Sequence, residues 1–419
     1  MSKSKPDAGD GAGASAPASA TQLIHHPYLP PGGFASVQPG VFKASTVIFD
    51  DTQALQTRQW KDKSGYTYGL HGTPTTFTLE ERLATLEGGL QALLVPSGLA
   101  AIGLVGLSLL RAGDEVLIPD NAYGPNKALA LGELTRLGVT HQLYDPMDPA
   151  DLARRFSERT RLVWLEAPGS VTMEFPDLIQ QVRLCRQHGI RAALDNTWGA
   201  GLAFRPFDLM GDGQIGVDIS VHALTKYPSG GGDVLMGAIT TRDESLHHQI
   251  KLCHMRLGLG VGANDVELIL RSLPSIGVRY VAQDVSARRV ADWLQQQAFC
   301  AQLLHPAFAG SPGHEHWQRV CHQGGHGSAG LAAGLFSIMV RGEIEPSRVD
   351  AFLDDLHLFK LGYSWGGPVS LVVPYALKDM RQTWPKHLQP GVLVRFSLGL
   401  ESPEALIEDL QRSAQRHLG

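Results

Sequence analysis

An alternation of short strand-like runs and longer helical stretches constrains this chain more than any other feature. Residues 92–95, 115–118, 140–144, 161–166, 191–195 and 217–221 read as strands, and 234–241 as a further one. Helical stretches lie among them, including 99–110, the segment running towards Leu137, and 176–188. This alternation predicts a largely parallel sheet covered by helices on both faces. Ligands of such sheets sit beyond the carboxyl ends of the strands. Ser97, Tyr123, Asp195 and Lys226 each lie just past a predicted strand. Four chemically capable residues, distant in the chain, are therefore expected around one site.

Each of them also has an ordinary reading. Lys226 follows a buried strand and precedes Gly230, Gly231 and Gly232. It is either a solvated loop lysine or a desolvated one. In the second case its amine is neutral, nucleophilic and able to form a Schiff base with a carbonyl. Pro96-Ser97-Gly98-Leu99 is a strand–turn–helix junction. Such a junction binds phosphate through free helix N–H groups, although many plain turns contain Ser-Gly. Tyr123 is a packing aromatic or a stacking platform, and Asp195 an N-cap or a functional carboxylate. Arg395 sits in the apolar strand 392–398, where it needs an anion. A structural Asp or Glu meets that need, and so does a substrate carboxylate held through two parallel hydrogen bonds.

The run Ser220-Val221-His222-Ala223-Leu224-Thr225-Lys226-Tyr227-Pro228 resembles the lysine signature of pyridoxal-phosphate-dependent enzymes of cysteine and methionine metabolism. The likeness extends from about Tyr66 to the C-terminus, through several motifs in the family's order. It implies an α/β fold of the aspartate-aminotransferase type (fold type I): a mostly parallel sheet covered by helices, with a smaller α+β C-terminal domain. It implies that Lys226 carries pyridoxal 5'-phosphate, with Thr225 beside it, and acts as catalytic base. Tyr123 stacks on the pyridine ring and counts among the catalytic residues. Asp195 keeps the ring nitrogen protonated. Ser97, Gly98 and Leu99 form the phosphate turn, and Tyr68 reaches the phosphate of a neighbouring subunit. Ser364, Trp365 and Arg395 bind substrate. Leu70 stands where the family has an arginine, so it brings the phosphate neither charge nor hydrogen bond. Ala167 replaces a family serine.

The implied activity is a carbon–sulfur lyase, splitting L-cystathionine by α,β-elimination into homocysteine, pyruvate and ammonia, as in methionine biosynthesis by transsulfuration. Trp365 and the Gly169-Ser170 pair favour this β branch. The alternatives inside the family are cystathionine γ-lyase, γ-synthase, O-acetylhomoserine sulfhydrylase and a broad cysteine or cystine lyase. A homotetramer built from dimers with shared sites is expected.

With 419 residues and a net charge of −5, the chain supports a large core and suggests no nucleic-acid partner. Four scattered cysteines point to a reducing compartment, and no apolar run is long enough for a membrane span. A cytoplasmic enzyme is expected. The expected divisions are a disordered tail at 1–21, an arm at 22–72, a cofactor-binding domain at 73–272 and a C-terminal domain at 273–419. His314, Glu315, His316, Cys321, His322 and His326 cluster in sequence, but their spacing suits no zinc pattern, and no metal is expected.

Overall fold

The computed structural model describes residues 20–25, 36–322 and 330–419. Most of the expected tail, part of the arm and His326 lie outside these. The strands of the large sheet are β1 (Gln91–Val95), β2 (Glu115–Pro119), β3 (Thr140–Tyr144), β4 (Thr160–Glu166), β5 (Arg191–Asp195), β6 (Ile219–Ala223) and β7 (Gly237–Thr241). Their order is β1-β7-β6-β5-β4-β2-β3. β3, β2, β4, β5 and β6 are mutually parallel, whereas β7 is antiparallel to both its neighbours, β1 and β6. The sheet is thus mostly parallel, as expected, but its last strand in the chain is inserted between β1 and β6 rather than added at an edge. β1 and β6 consequently run the same way, and their carboxyl ends face one side.

The apolar helix Gly98–Leu109 packs on β1, β6 and β7. Its first turn comes close because two positions lack side chains. A Cβ on Gly98 would lie 2.6 Å from Ala223 Cβ, and one on Gly237 only 2.3 Å from the Ser97 carbonyl oxygen. The helix Pro74–Glu87 covers the sheet beside β1 and β7. It starts at a capping box in which Thr73 and Thr76 satisfy each other's backbone N–H groups. The short helix Ala20–Ile24 inserts Leu23, which is 1% exposed, into the principal core. This part of the arm therefore packs within its own chain.

The smaller sheet comprises β8 (Cys300–Leu304), β9 (Leu335–Arg341), β10 (Lys360–Leu361), β11 (Leu371–Tyr375) and β12 (Gly391–Ser397), in the order β10-β11-β12-β9-β8. All its pairings are antiparallel except β10 with β11. The helices Ile276–Gln295 and Pro403–His417 pack against each other beside it. The principal apolar core extends from the large sheet to Leu335, Met339 and Leu393 of the smaller one, so the two sheets share buried surface.

A buried polar clamp also ties the parts together. Arg381 donates through Nε to Asp120 Oδ2 at 3.0 Å and through Nη1 to Glu174 Oε2 at 2.9 Å. His387 Nε2 lies 2.5 Å from Glu174 Oε1, and Lys127 Nζ donates to the Met380 carbonyl at 2.6 Å. Burial works to raise the Glu174 pKa, but the His387 hydrogen bond and the Arg381 charge hold it at about 2.

The tight approach at Gly237 yields a measurable expectation. The obstructing atoms are backbone, so Gly237→Ala is expected to destabilise the protein by about 1–3 kcal/mol in urea unfolding. A variant with unchanged unfolding midpoint and slope would contradict this packing account.

Candidate active site

Parallel strands bring four chain segments to one edge. β1 leads to Ser97, β2 to Tyr123, β5 ends at Asp195 and β6 leads to Lys226. Ser97 caps the Gly98–Leu109 helix by accepting a hydrogen bond from the Ala100 N–H at 3.0 Å. That helix start presents free N–H groups and the positive end of the helix dipole, with Leu99 exposed beside it.

Lys226 is half-buried, and its Nζ donates to Ser364 Oγ at 2.9 Å. The same amine lies 5.5 Å from the centre of the Trp365 ring. Burial first, and then the charge of Arg395, lower its pKa to about 8 against the opposing pull of Asp195. The loop carrying Ser364 and Trp365 reaches this point because Gly366 adopts φ +78°; a Cβ there would stand 3.0 Å from the Tyr227 nitrogen. From the other side Arg279 donates to the Tyr227 carbonyl at 2.7 Å, which holds the backbone next to Lys226. Thr225 Oγ1 accepts from the Met236 N–H at 3.4 Å.

Asp195 is half-buried, and its Oδ1 accepts from Thr197 twice: from the backbone N–H at 3.0 Å and from Oγ1 at 2.6 Å. Thr197 Oγ1 in turn accepts from the Ala223 N–H at 3.0 Å, linking β5 to the lysine strand. Burial raises the Asp195 pKa; the Thr197 hydrogen bonds and the charges of His222 and Lys226 oppose the rise. Beside it, across the β4–β5 pairing, stands Glu166. Its Oε2 accepts the Tyr123 N–H at 2.8 Å and so fixes the tyrosine backbone. Burial and the nearby charges of Asp195 and Glu166 raise the pKa of the Tyr123 hydroxyl.

Arg395 of β12 is 7% exposed. It donates to the Ser364 carbonyl at 3.4 Å and lies 5.2 Å from the centre of the Tyr375 ring. Among the described residues no carboxylate forms an ion pair with it, and burial lowers its pKa. The structural Asp or Glu allowed for in the sequence is therefore not the partner here. Ser364 meets both the Lys226 amine and the Arg395 guanidinium, and Asp195 lies close enough to act on the lysine's charge.

Tyr68 stands apart from this group. Its hydroxyl lies 3.2 Å from Ser45 Oγ and its ring packs edge-on against His71. Leu70, close to Gly260, turns its side chain to apolar packing. Thr197, Glu166, Arg279 and Tyr375 were not singled out from the sequence. Glu166 alone carried a signal, as a carboxylate ending a predicted strand. The helix His314–Cys321 uses His314 Nδ1 in a 2.8 Å contact with the Pro306 carbonyl. Among the described residues no group of three or more His, Cys, Asp or Glu side chains is arranged to hold a metal.

Residues 20–415 match the family model described as Cys/Met metabolism PLP-dependent enzyme. The chain belongs to this family. Pyridoxal phosphate is accordingly the cofactor of this Cys/Met-metabolism enzyme. Its relatives include the cystathionine beta-lyase of Bordetella avium, 38% identical over 406 residues and matched across 94% of this chain and 97% of the relative. The cystathionine beta-lyase of Salmonella typhimurium is 33% identical over 382 residues, covering 90% and 92%. Among solved structures, cystathionine gamma synthase from Xanthomonas oryzae pv. oryzae in complex with cystathionine aligns with a TM-score of 0.83 at 28% identity. That alignment covers 95% of this chain and 98% of the solved one.

The lowered lysine pKa makes a testable statement about the family member in hand. Nζ is protonated below about 8 and free to react above it. In cofactor-stripped protein, Lys226 acylation followed by mass spectrometry should rise with a midpoint near that pH. In Arg395→Met the midpoint should move upward, because a cation that disfavours the ammonium is gone. A midpoint unmoved by that substitution would contradict the electrostatic account.

Proposed function

We propose that the protein is a pyridoxal-phosphate-dependent lyase that cleaves the Cβ–S bond of L-cystathionine, releasing homocysteine, pyruvate and ammonia. The observation that carries this reading is the juxtaposition of the Lys226 amine with Ser364, Trp365 and a buried Arg395 that lacks a carboxylate partner. An amino-acid substrate supplies the missing anion, and binding it places Cα close to the lysine. The two beta-lyase relatives support the β regiochemistry.

The residues present fit the cofactor. Asp195 suits a cationic ring nitrogen, whose charge would offset the burial that raises its pKa. Ser97, Gly98 and Leu99 offer the phosphate a helix N-terminus, with Thr225 adjoining. Tyr123 stands where it can cover the ring face, and Tyr68 serves the site of a neighbouring subunit. When bound, pyridoxal phosphate supplies an electron sink conjugated to the substrate amine.

Arg395 holds the substrate carboxylate through charge-assisted hydrogen bonds. Ser364 accepts a hydrogen bond from Nζ and thereby aims the lone pair of Lys226. With a pKa of about 8, that amine is matched to taking the Cα proton near neutral pH. The Cβ–S bond then breaks, and the sulfur leaves with a proton as the homocysteine thiol. The remaining aminoacrylate takes up water to give pyruvate and ammonia. We infer a homotetramer in the cytoplasm. Four cysteines free of disulfides are consistent with that compartment, and among the described residues no helix is long and apolar enough to cross a membrane.

The solved gamma-synthase neighbour favours one second reading, γ chemistry in the same site. Incubation with L-cystathionine separates the two. Pyruvate with homocysteine is expected; 2-oxobutyrate with cysteine would assign the γ reaction instead. Lys226→Ala is expected to abolish both product release and the visible absorbance of the bound cofactor, and a fully active variant would refute the role of Lys226. By light scattering, the full chain should have the mass of four subunits. If residues 25–60 pack on another subunit, a chain lacking residues 1–60 forms a smaller assembly; an unchanged assembly would count against that packing.

A further inference from the structure

The proposed reaction leaves a buried polar group without a task. Asp195 pairs with Val221 across β5 and β6, so His222 points to the opposite face of the sheet. There its Nδ1 lies 3.3 Å from Glu87 Oε1, and the two side chains are only 2% and 1% exposed. Asn196, the residue after Asp195, donates through Nδ2 to the same Glu87 oxygen at 3.2 Å. Its backbone N–H is tied to the Val221 carbonyl at 2.9 Å. Among the described residues Glu87 Oε2 and Asn196 Oδ1 have no hydrogen-bond partner, and neither ring nitrogen of His222 makes a hydrogen bond of good geometry.

Such a group is costly. Buried polar atoms left unpaired are destabilising, and a buried carboxylate needs a cation. Glu87 is also the last residue of the helix Pro74–Glu87, where the helix dipole repels negative charge. A protonated imidazole answers both demands. Glu87 faces His222 from the helix, and Asp195, on the other face of the sheet, still lies within reach of its charge.

We propose that Glu87 and His222 are positioning residues for Asp195, a buried carboxylate–imidazolium pair that anchors the end of β5 through Asn196 and keeps Asp195 ionised against the cofactor's ring nitrogen. The inference rests on the reading of Asp195 given above and extends it to two residues that touch neither substrate nor cofactor. The pull of His222 on Asp195 is consistent with it: after the Thr197 hydrogen bonds, the His222 charge is the next influence opposing the rise of that carboxyl's pKa. Thr197 and Asn196 then hold the strand end from the two faces of the sheet, one on the carboxylate itself and one on the pair behind it.

The test uses the holoenzyme loaded with pyridoxal phosphate carrying nitrogen-15 in the ring, in the parent protein, His222→Gln and Glu87→Gln. Glu87→Gln is nearly isosteric, so it decides the question if His222→Gln fails to fold. Nitrogen-15 NMR reads ring protonation directly, with cofactor affinity and melting temperature measured alongside. The parent nitrogen should stay protonated between about pH 6 and 9. In the variants its protonation midpoint should fall by on the order of one pH unit, with weaker cofactor binding. A protonated parent nitrogen that is unchanged in Glu87→Gln, whatever the melting temperature does, overturns this inference and spares the role of Asp195. A parent nitrogen that is already unprotonated overturns the reading of Asp195 and this inference with it.

Discussion

Taking the Lys226 ammonium out of water is the constraint around which the other groups are arranged. A solvated lysine near neutral pH is charged and neither nucleophile nor base. Here burial and Arg395 together bring its pKa down to about 8. The burial is not intrinsic to the end of β6. It depends on a loop of the smaller domain that delivers Ser364 and Trp365, and on Gly366 to let that loop lie against the lysine's own backbone. The same loop supplies the carbonyl that accepts from Arg395. The Lys226 amine and the Arg395 guanidinium are thus both set by one piece of chain.

Much of the large sheet was legible because the information is local. Most strands there are short apolar runs, and Ser97, Tyr123 and Lys226 follow their strands within a few positions while Asp195 ends its own, so the edge they share could be read from the order of runs alone. The placement of β7 could not. Its insertion between β1 and β6, antiparallel to both, is a pairing between segments well over a hundred residues apart in one case, and no local pattern encodes it. The Gly98 and Gly237 contacts that seat the first helix turn were hidden for the same reason.

The supporting residues were harder still. Thr197 joins Asp195 to the backbone of β6, and Glu166 holds the Tyr123 amide, through contacts that exist only once β2, β4, β5 and β6 are aligned. In sequence they are a threonine in a turn and a glutamate at a strand end. Arg395 shows the converse. An arginine among apolar residues announced that it needed an anion, but only the folded chain, with Tyr375 beside the guanidinium and no carboxylate paired to it among the described residues, spoke against a structural partner. Tyr68 and Leu70 belong to a stretch whose expected role involves a second subunit; within one chain Tyr68 meets Ser45 and His71, and Leu70 lies beside Gly260.

The clamp on Glu174 and Asp120 has a consequence for how such an enzyme diverges. Arg381 grips Asp120 directly, and Arg381 and His387 together hold Glu174, to which Asn121 donates at 2.7 Å; Asp120 and Asn121 lie three and two residues before Tyr123. A shift of the 377–388 stretch would therefore be transmitted to the segment that ends at Tyr123. The two stretches are mechanically coupled, so drift in one must be matched by compensating change in the other.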